Sequence, residues 1–156
     1  MKFSFWVIGK NDASVDALCQ VFEKRIQHYV PFSIQCWENK KGSHKLPPDK
    51  LKKKEAEMIL NKLDDKDLLI LLDENGKQFS SRAFAEKVEH WMQSGKRQVV
   101  FLVGGAFGFA PELYQRANAQ ISLSKGTFSH QIIRVMFLEQ LYRAYTIINK
   151  EPYHND

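Results

Sequence analysis

The sequence predicts an α/β fold, a mostly parallel sheet flanked by helices, and three observations carry that expectation. Short apolar runs suited to strands alternate along the chain with segments whose apolar residues repeat at helical spacing. Two of the runs, Asp67–Leu72 (DLLILL) and Gln98–Val103 (QVVFLV), have almost no polar face, as strands covered on both sides require. No segment repeats, is of low complexity or reads as a linker, so residues 1–156 are expected to form one domain.

Lys2 to Gly9 (KFSFWVIG) reads as the first strand. A helix capped by Asn11, Asp12 or Ser14 then runs to about Tyr29, with Val15, Leu18, Cys19, Phe22 and Ile26 sharing a face. Cys19 on that stripe reads as a small core residue, because nothing near it in sequence would activate a thiol. Pro31 stops the helix and Phe32–Trp37 forms the second strand. Glu38 to Pro48 is a polar, basic loop in which His44 is solvated, and Pro47-Pro48-Asp49 opens a helix to about Leu63. After the third strand, Asp73-Glu74-Asn75-Gly76 turns the chain. Ser80 or Ser81 caps a helix to about Gln93 that buries Phe84, Val88, Trp91 and Met92. The fourth strand runs straight into Gly104-Gly105-Ala106-Phe107-Gly108. A short helix from Pro111, a fifth strand at Gln120–Leu123 and a long helix from His130 to Asn149 complete the order.

An apolar fraction of 44% with 26% charged residues excludes a disordered chain. No apolar run approaches the ~20 residues that span a bilayer, and the first residues lack the pattern of a signal peptide. Cys19 and Cys36 form neither a disulfide framework nor a metal-ligand spacing, so a reducing, cytoplasmic setting without a bound metal is expected. The net charge of +5 is unevenly placed. Seven lysines (Lys40, Lys41, Lys45, Lys50, Lys52, Lys53, Lys54) stand against Glu38 and Asp49. Such a block suits a polyanion such as RNA, and equally suits a solvated helix start.

Three loops would gather beyond the carboxyl ends of the strands, where α/β sheets bind ligands: after Leu72, at Gly104–Gly108, and at Ser124–Ser129. GGAFG is neither a P-loop nor a dinucleotide fingerprint, so phosphate binding there is poorly supported. Leu123-Ser124-Lys125-Gly126-Thr127-Phe128 can wrap an adenosine-like ligand or can simply precede a helix capped by Thr127 or Ser129. The last helix is apolar on more than one face, which calls for a two-fold partner or for cover from its own domain. Arg134 and Arg143 stand out on it as polar residues expected to face a cleft. Pro152 ends helical geometry, and the short tail with Tyr153 and His154 is rich enough chemically to dock.

LVGGAFG, ISLSKGTFSHQIIRVMFLEQLYRAY and the terminal EPYH together resemble the RlmH family of SPOUT methyltransferases. The likeness runs the full length and is most specific from Leu102 onward. Ser129 departs from the proline usual before the histidine, and Gly126 stands where a larger residue is common. The resemblance implies methylation of N3 of a pseudouridine in 23S ribosomal RNA, on the assembled ribosome, with S-adenosyl-L-methionine as methyl donor. It also implies a trefoil knot at the carboxyl end and a homodimer with shared active sites. Cofactor contacts would fall on Leu72, Gly104, Leu123, Ser124, Lys125, Gly126, Thr127 and Phe128. Catalytic roles would fall on His130, Arg143, Tyr153 and His154, the last two contributed by the partner's tail. A non-catalytic RNA-binding domain and a flavodoxin-like nucleotide binder are the rival readings. Failure to bind the methyl donor would favour the first, and phosphate-binding loops would favour the second.

Overall fold

The computed structural model describes residues 1–156. Five strands form one parallel sheet in the order β2-β1-β4-β3-β5, where β1 is Lys2–Ile8, β2 Phe32–Trp37, β3 Leu68–Gln78, β4 Gln98–Val103 and β5 Ala119–Ser122. Helices α1 (Ala13–Ile26), α2 (Pro48–Leu60), α3 (Ser81–Met92), α4 (Pro111–Arg116) and α5 (His130–Ile148) connect and cover the strands. The expected α/β class is therefore observed. The central strand β4 is buried along its whole length, which explains why its sequence has no polar face.

Side-chain alternation along the strands splits the core in two. Phe3, Phe5, Val7, Phe101 and Val103 point to one face, where α1, α3 and α5 cover them with Phe22, Trp91, Phe137 and Tyr145. Trp6, Ile8, Leu69, Leu71, Val100 and Leu102 point to the other, under Ala56 and Ile59 of α2 and Leu113 of α4. Cys19 belongs to the first cluster, and burial pushes its thiol up to about 11, which keeps it inert. Ser80 caps α3 by accepting from the Ala83 amide, and Ser129 caps α5 by accepting from Ile132. Asp12 occupies the cap position of α1 without a side-chain hydrogen bond. No helix is long and apolar enough to cross a membrane.

Two expectations need correction. Asp73–Gly76 does not end the third strand. β3 pairs with β5 up to Leu72, leaves the ladder, and pairs with it again at Lys77 and Gln78. Gly76 permits this, because a Cβ there would lie 2.7 Å from the backbone of Gln120 and Ile121. Arg134, in turn, does not face a cleft. Its guanidinium is fully buried and donates to the carbonyls of Ile8 (2.8 Å) and Gly9 (3.2 Å) and to Asn11 Oδ1 (2.8 Å). α5 thereby pins the carboxyl end of β1, satisfying acceptors that the end of the ladder leaves open.

At the opposite edge of the sheet, Asp67 collects donors. Burial alone would push its carboxyl up, but Arg97 (2.9 and 2.8 Å), Gln98 (2.8 Å) and the Asp64 amide (3.0 Å) together hold it below its ordinary value. A lowered folded pKa means the charged form stabilises the fold above about pH 4, and that contribution is lost as pH falls through the depressed value. Replacing Asp67 with Asn is expected to lower unfolding free energy by about 2 kcal/mol at pH 7. The gap between variant and parent should narrow progressively as pH falls below about 4. Denaturant titrations across this range measure both.

Candidate active site

The carboxyl ends of β3, β4 and β5 open onto a cavity of about 550 Å³. Its walls come from the three loops expected to meet there: Leu72–Asn75, Val103–Phe109 and Leu123–Ser129. α5 adds His130, its first residue, and Ile133, and α4 adds Tyr114. Leu72, Gly104, Leu123, Ser124, Gly126, Thr127 and Phe128 all line the space, whereas Lys125 lies in the same loop, exposed, and is not among the lining residues. A parallel sheet with β4 central places these loops on a single edge.

Sequence reasoning passed over several groups. Asp73 and Glu74 sit in the excursion from β3 and bring carboxylates to the cavity. The Tyr114 hydroxyl donates to Asp73, and the Thr127 hydroxyl donates to Glu74 Oε2 at 3.4 Å. Burial and then the Asp73 bond push the Tyr114 phenol upward, so it remains a donor. The usable signal for both acids was position, directly beyond an apolar strand. Glu55 was missed entirely. It lies buried on α2 behind Gly105, in a stretch that reads as a charged helix start. A clue existed in its i,i+4 spacing to the core residue Ile59.

Gly104 is needed for a reason other than ligand clearance. A Cβ there would come within 3.0 Å of Cε1 of Phe109 and 3.3 Å of the Gly108 carbonyl oxygen. The absent side chain makes room for the loop's own return, and the cavity shape depends on it.

The other expected catalytic groups assemble elsewhere. The Arg143 guanidinium donates to Glu139 (2.6 Å) and lies 4.7 Å from the centre of the Tyr153 ring. The Tyr153 hydroxyl donates to Glu139 Oε1 at 3.1 Å. His154 Nδ1 is 3.2 Å from Arg143, and its Nε2 is 2.8 Å from Asp156 Oδ1. An arginine has no acceptor atom, so Nδ1 must accept and Nε2 must carry the hydrogen that reaches Asp156. Asp156 also receives the Arg82 Nε–H at 2.7 Å, and Glu151 receives the Tyr29 hydroxyl at 2.8 Å. The tail is thus docked on its own α5. Glu139 is the anchor, and it raises the Arg143 pKa through its hydrogen bonds.

His130 and Arg143 are 13 residues apart on one helix, about 20 Å along its axis at 1.5 Å per residue. One chain therefore brings Arg143, Tyr153 and His154 together and keeps them away from His130 and the cavity. Between the two ends of α5 lies an apolar groove of about 730 Å³ lined by Leu18, Phe22, Phe79, Phe84, Val135 and Met136, among others. Leu18 and Ile132 are each 49% exposed beside it.

The surroundings are basic. Lys40, Lys41, Lys45, Lys50, Lys53 and Lys54 are exposed, and only Lys52 finds an acid, Asp49 at 3.6 Å. The segment follows the carboxyl end of β2, on the same sheet edge as the cavity, and α2 touches the GGAFG loop through Glu55.

A cavity at this edge, walled by glycine- and hydroxyl-bearing loops, has the size and lining of small-molecule pockets, and the exposed lysines give the neighbouring surface a positive charge. Comparison with known proteins gives it a class. The family described as "Predicted SPOUT methyltransferase" matches residues 1–154. The chain belongs to that superfamily and, within it, to the RlmH family of ribosomal RNA large subunit methyltransferases. It is 46% identical over 149 residues to "Ribosomal RNA large subunit methyltransferase H" of Christiangramia forsetii, covering 95% of each chain. The proteins of the same name from Cytophaga hutchinsonii and Parabacteroides distasonis are 47% and 45% identical. The matches cover 99% and 100% of this chain, and all of each relative.

Substituting Gly104 with Val is expected to weaken S-adenosylhomocysteine binding at least tenfold by displacing the loop, and to lower stability by about 1–3 kcal/mol through overpacking against Phe109. Adding Phe109→Leu should restore part of both. Calorimetry and thermal melts distinguish this from a direct clash with the ligand, which would leave stability unchanged.

Proposed function

We propose that the protein uses S-adenosyl-L-methionine to methylate N3 of a pseudouridine in 23S ribosomal RNA on assembled ribosomes in the cytoplasm, working as a homodimer. The single observation carrying this reading is the division of the expected site. Its cofactor-side residues form a cavity at one end of α5, and its proton-handling residues are ordered at the other.

The cavity suits the methyl donor. Its volume lies within the range of small-ligand pockets, its apolar walls include Leu72, Val103, Leu123 and Ile133, and its carboxylates, Asp73 and Glu74, complement a cationic ligand. Leu72, Gly104 and the 123–128 loop would hold the cofactor, with Lys125 at the rim. When bound it supplies an electrophilic methyl group on a sulfonium. The family's carboxyl-terminal trefoil knot belongs to the same reading. Supporting it are the renewed β3–β5 pairing after Gly76 and the reach of Thr127 to Glu74.

The chain's own residues must then prepare the nucleotide. An imide N3 carries a proton and becomes nucleophilic only on losing it. His154 is the proton acceptor in this mechanism, and Arg143 stabilises the negative charge that spreads onto a flanking carbonyl. Tyr153 holds the Arg143–Glu139 pair in place, and His130 positions the nucleotide at the cavity mouth. Within the docked tail Nδ1 of His154 accepts from Arg143 and Nε2 is protonated, so neither nitrogen is free as a base. Substrate must draw Arg143 toward its carbonyl, which frees Nδ1 to take the N3 proton. A second copy seated on the apolar groove brings one chain's tail to the other's cavity. The exposed lysines beside that cavity hold RNA phosphates.

Labelled methyl transfer to ribosomes from a strain lacking this protein, followed by mapping of the modified nucleotide, tests the reaction. Methylation at any atom other than N3 of a pseudouridine refutes it. Removal of residues 151–156 is expected to spare cofactor binding while cutting methyl transfer at least a thousandfold. An active truncated chain would remove the tail from the mechanism. Sedimentation should give twice the chain mass for the parent, and a shift toward monomer for Leu18→Glu.

A further inference from the structure

The GGAFG wall of the cavity has an acid behind it that no role assigned so far uses. Glu55 is 3% exposed. A Cβ built on Gly105 would fall 2.8 Å from its Oε2 and 3.2 Å from its Oε1, so the carboxyl group touches that backbone from the protein side. Gly105 itself lines the cavity. Oε2 has no hydrogen-bond partner, and none of the lysines around it on α2 forms an ion pair with it. Burial raises the group above its ordinary value, and the Asn39 side-chain amide, which favours the charged form, offsets only part of that rise.

An unpaired buried carboxylate is a liability to stability, and an apolar residue of the same size would pack there without that penalty. What the carboxylate offers is negative charge one backbone thickness from the cavity, shielded from the solvent that screens Asp73 and Glu74. Those two acids are half-buried and exposed respectively, and each already receives a hydroxyl hydrogen bond. Of the three acids, Glu55 is the one with an oxygen that has neither a hydrogen-bond nor an ion-pair partner.

We propose that Glu55 is a specificity-determining residue that makes the cavity prefer a sulfonium-bearing methyl donor over the neutral thioether left after transfer. This rests on the methyl-donor reading above. During transfer the methyl carbon leaves sulfur for the acceptor nitrogen. The carbon–sulfur bonding pair stays on sulfur, which passes from cation to neutral thioether, and the N3 proton has gone to the base. The attraction to Glu55 exists before that exchange and vanishes with it. Spent cofactor is therefore held less tightly than fresh cofactor, and the site reloads.

The test is binding. Dissociation constants for S-adenosylmethionine and S-adenosylhomocysteine are measured by calorimetry on the full-length parent, on Glu55→Gln and on Glu55→Met, the apolar near-isostere that keeps the site testable if a buried amide misfolds. Both variants should lose about tenfold or more of the parent's preference for the sulfonium ligand while holding the thioether within about twofold. Asp73→Asn should shift the ratio less. Equal weakening of both ligands would mean that Glu55 merely supports the loop, and an unchanged ratio would mean that its charge is not felt; either overturns the inference alone. A parent that binds neither compound would overturn the methyl-donor reading and this inference together.

Discussion

The site depends on one close approach between backbones. Because Gly76 has no side chain, β3 can leave its ladder after Leu72, carry Asp73 and Glu74 outward, and return against Gln120 and Ile121 of β5. Any Cβ at that point would push the strands apart by a distance no sheet hydrogen bond tolerates. With the return in place, the excursion stands beside the GGAFG loop and the loop leading into α5, and the three enclose one cavity. Parallel strand direction sets the edge at which the loops meet. The glycine sets how closely they meet.

Charge is arranged around that cavity in shells of opposite sign. Carboxylates lie on and behind its walls, and unpaired lysines crowd the surface from Lys40 to Lys54. The inner sign suits a cationic small molecule and the outer one a polyanion, so in the proposed reaction the field would sort the two ligands before any specific contact forms. The same economy holds at the far end of α5. There Glu139 orients Arg143 and Tyr153, and Arg143 in turn fixes which nitrogen of His154 carries hydrogen.

Much of this was legible in the chain itself. Strand and helix order followed from period and from Gly and Pro punctuation, and the runs DLLILL and QVVFLV declared strands buried on both faces. The ligand loops were legible because the carboxyl edge of a parallel sheet is fixed by topology. What escaped depends on pairs distant in sequence. Arg134 looked like a cleft residue because a helical pattern does not disclose that the end of β1, about 125 positions away, presents open carbonyls. Asp73-Glu74-Asn75-Gly76 looked like a turn because local composition cannot tell a chain that stops pairing from one that detours and pairs again. The packing of Phe109 against Gly104 was likewise invisible, because nothing in GGAFG shows that the loop folds back on itself. The split of Arg143 and His154 from His130 follows from helix length alone and was within reach of simple arithmetic.

The order already present in the tail bears on how two subunits would come together. Tyr29 and Arg82 reach Glu151 and Asp156, and α5 holds Tyr153 and His154, all within one chain. Such a segment is preorganised: its rotamers are frozen before any encounter, so association need not supply the free energy to freeze them. Two rigid bodies would then meet with their tails already placed, leaving only the Arg143–His154 contact to open when substrate arrives, and a modest contact area would suffice to complete both sites at once.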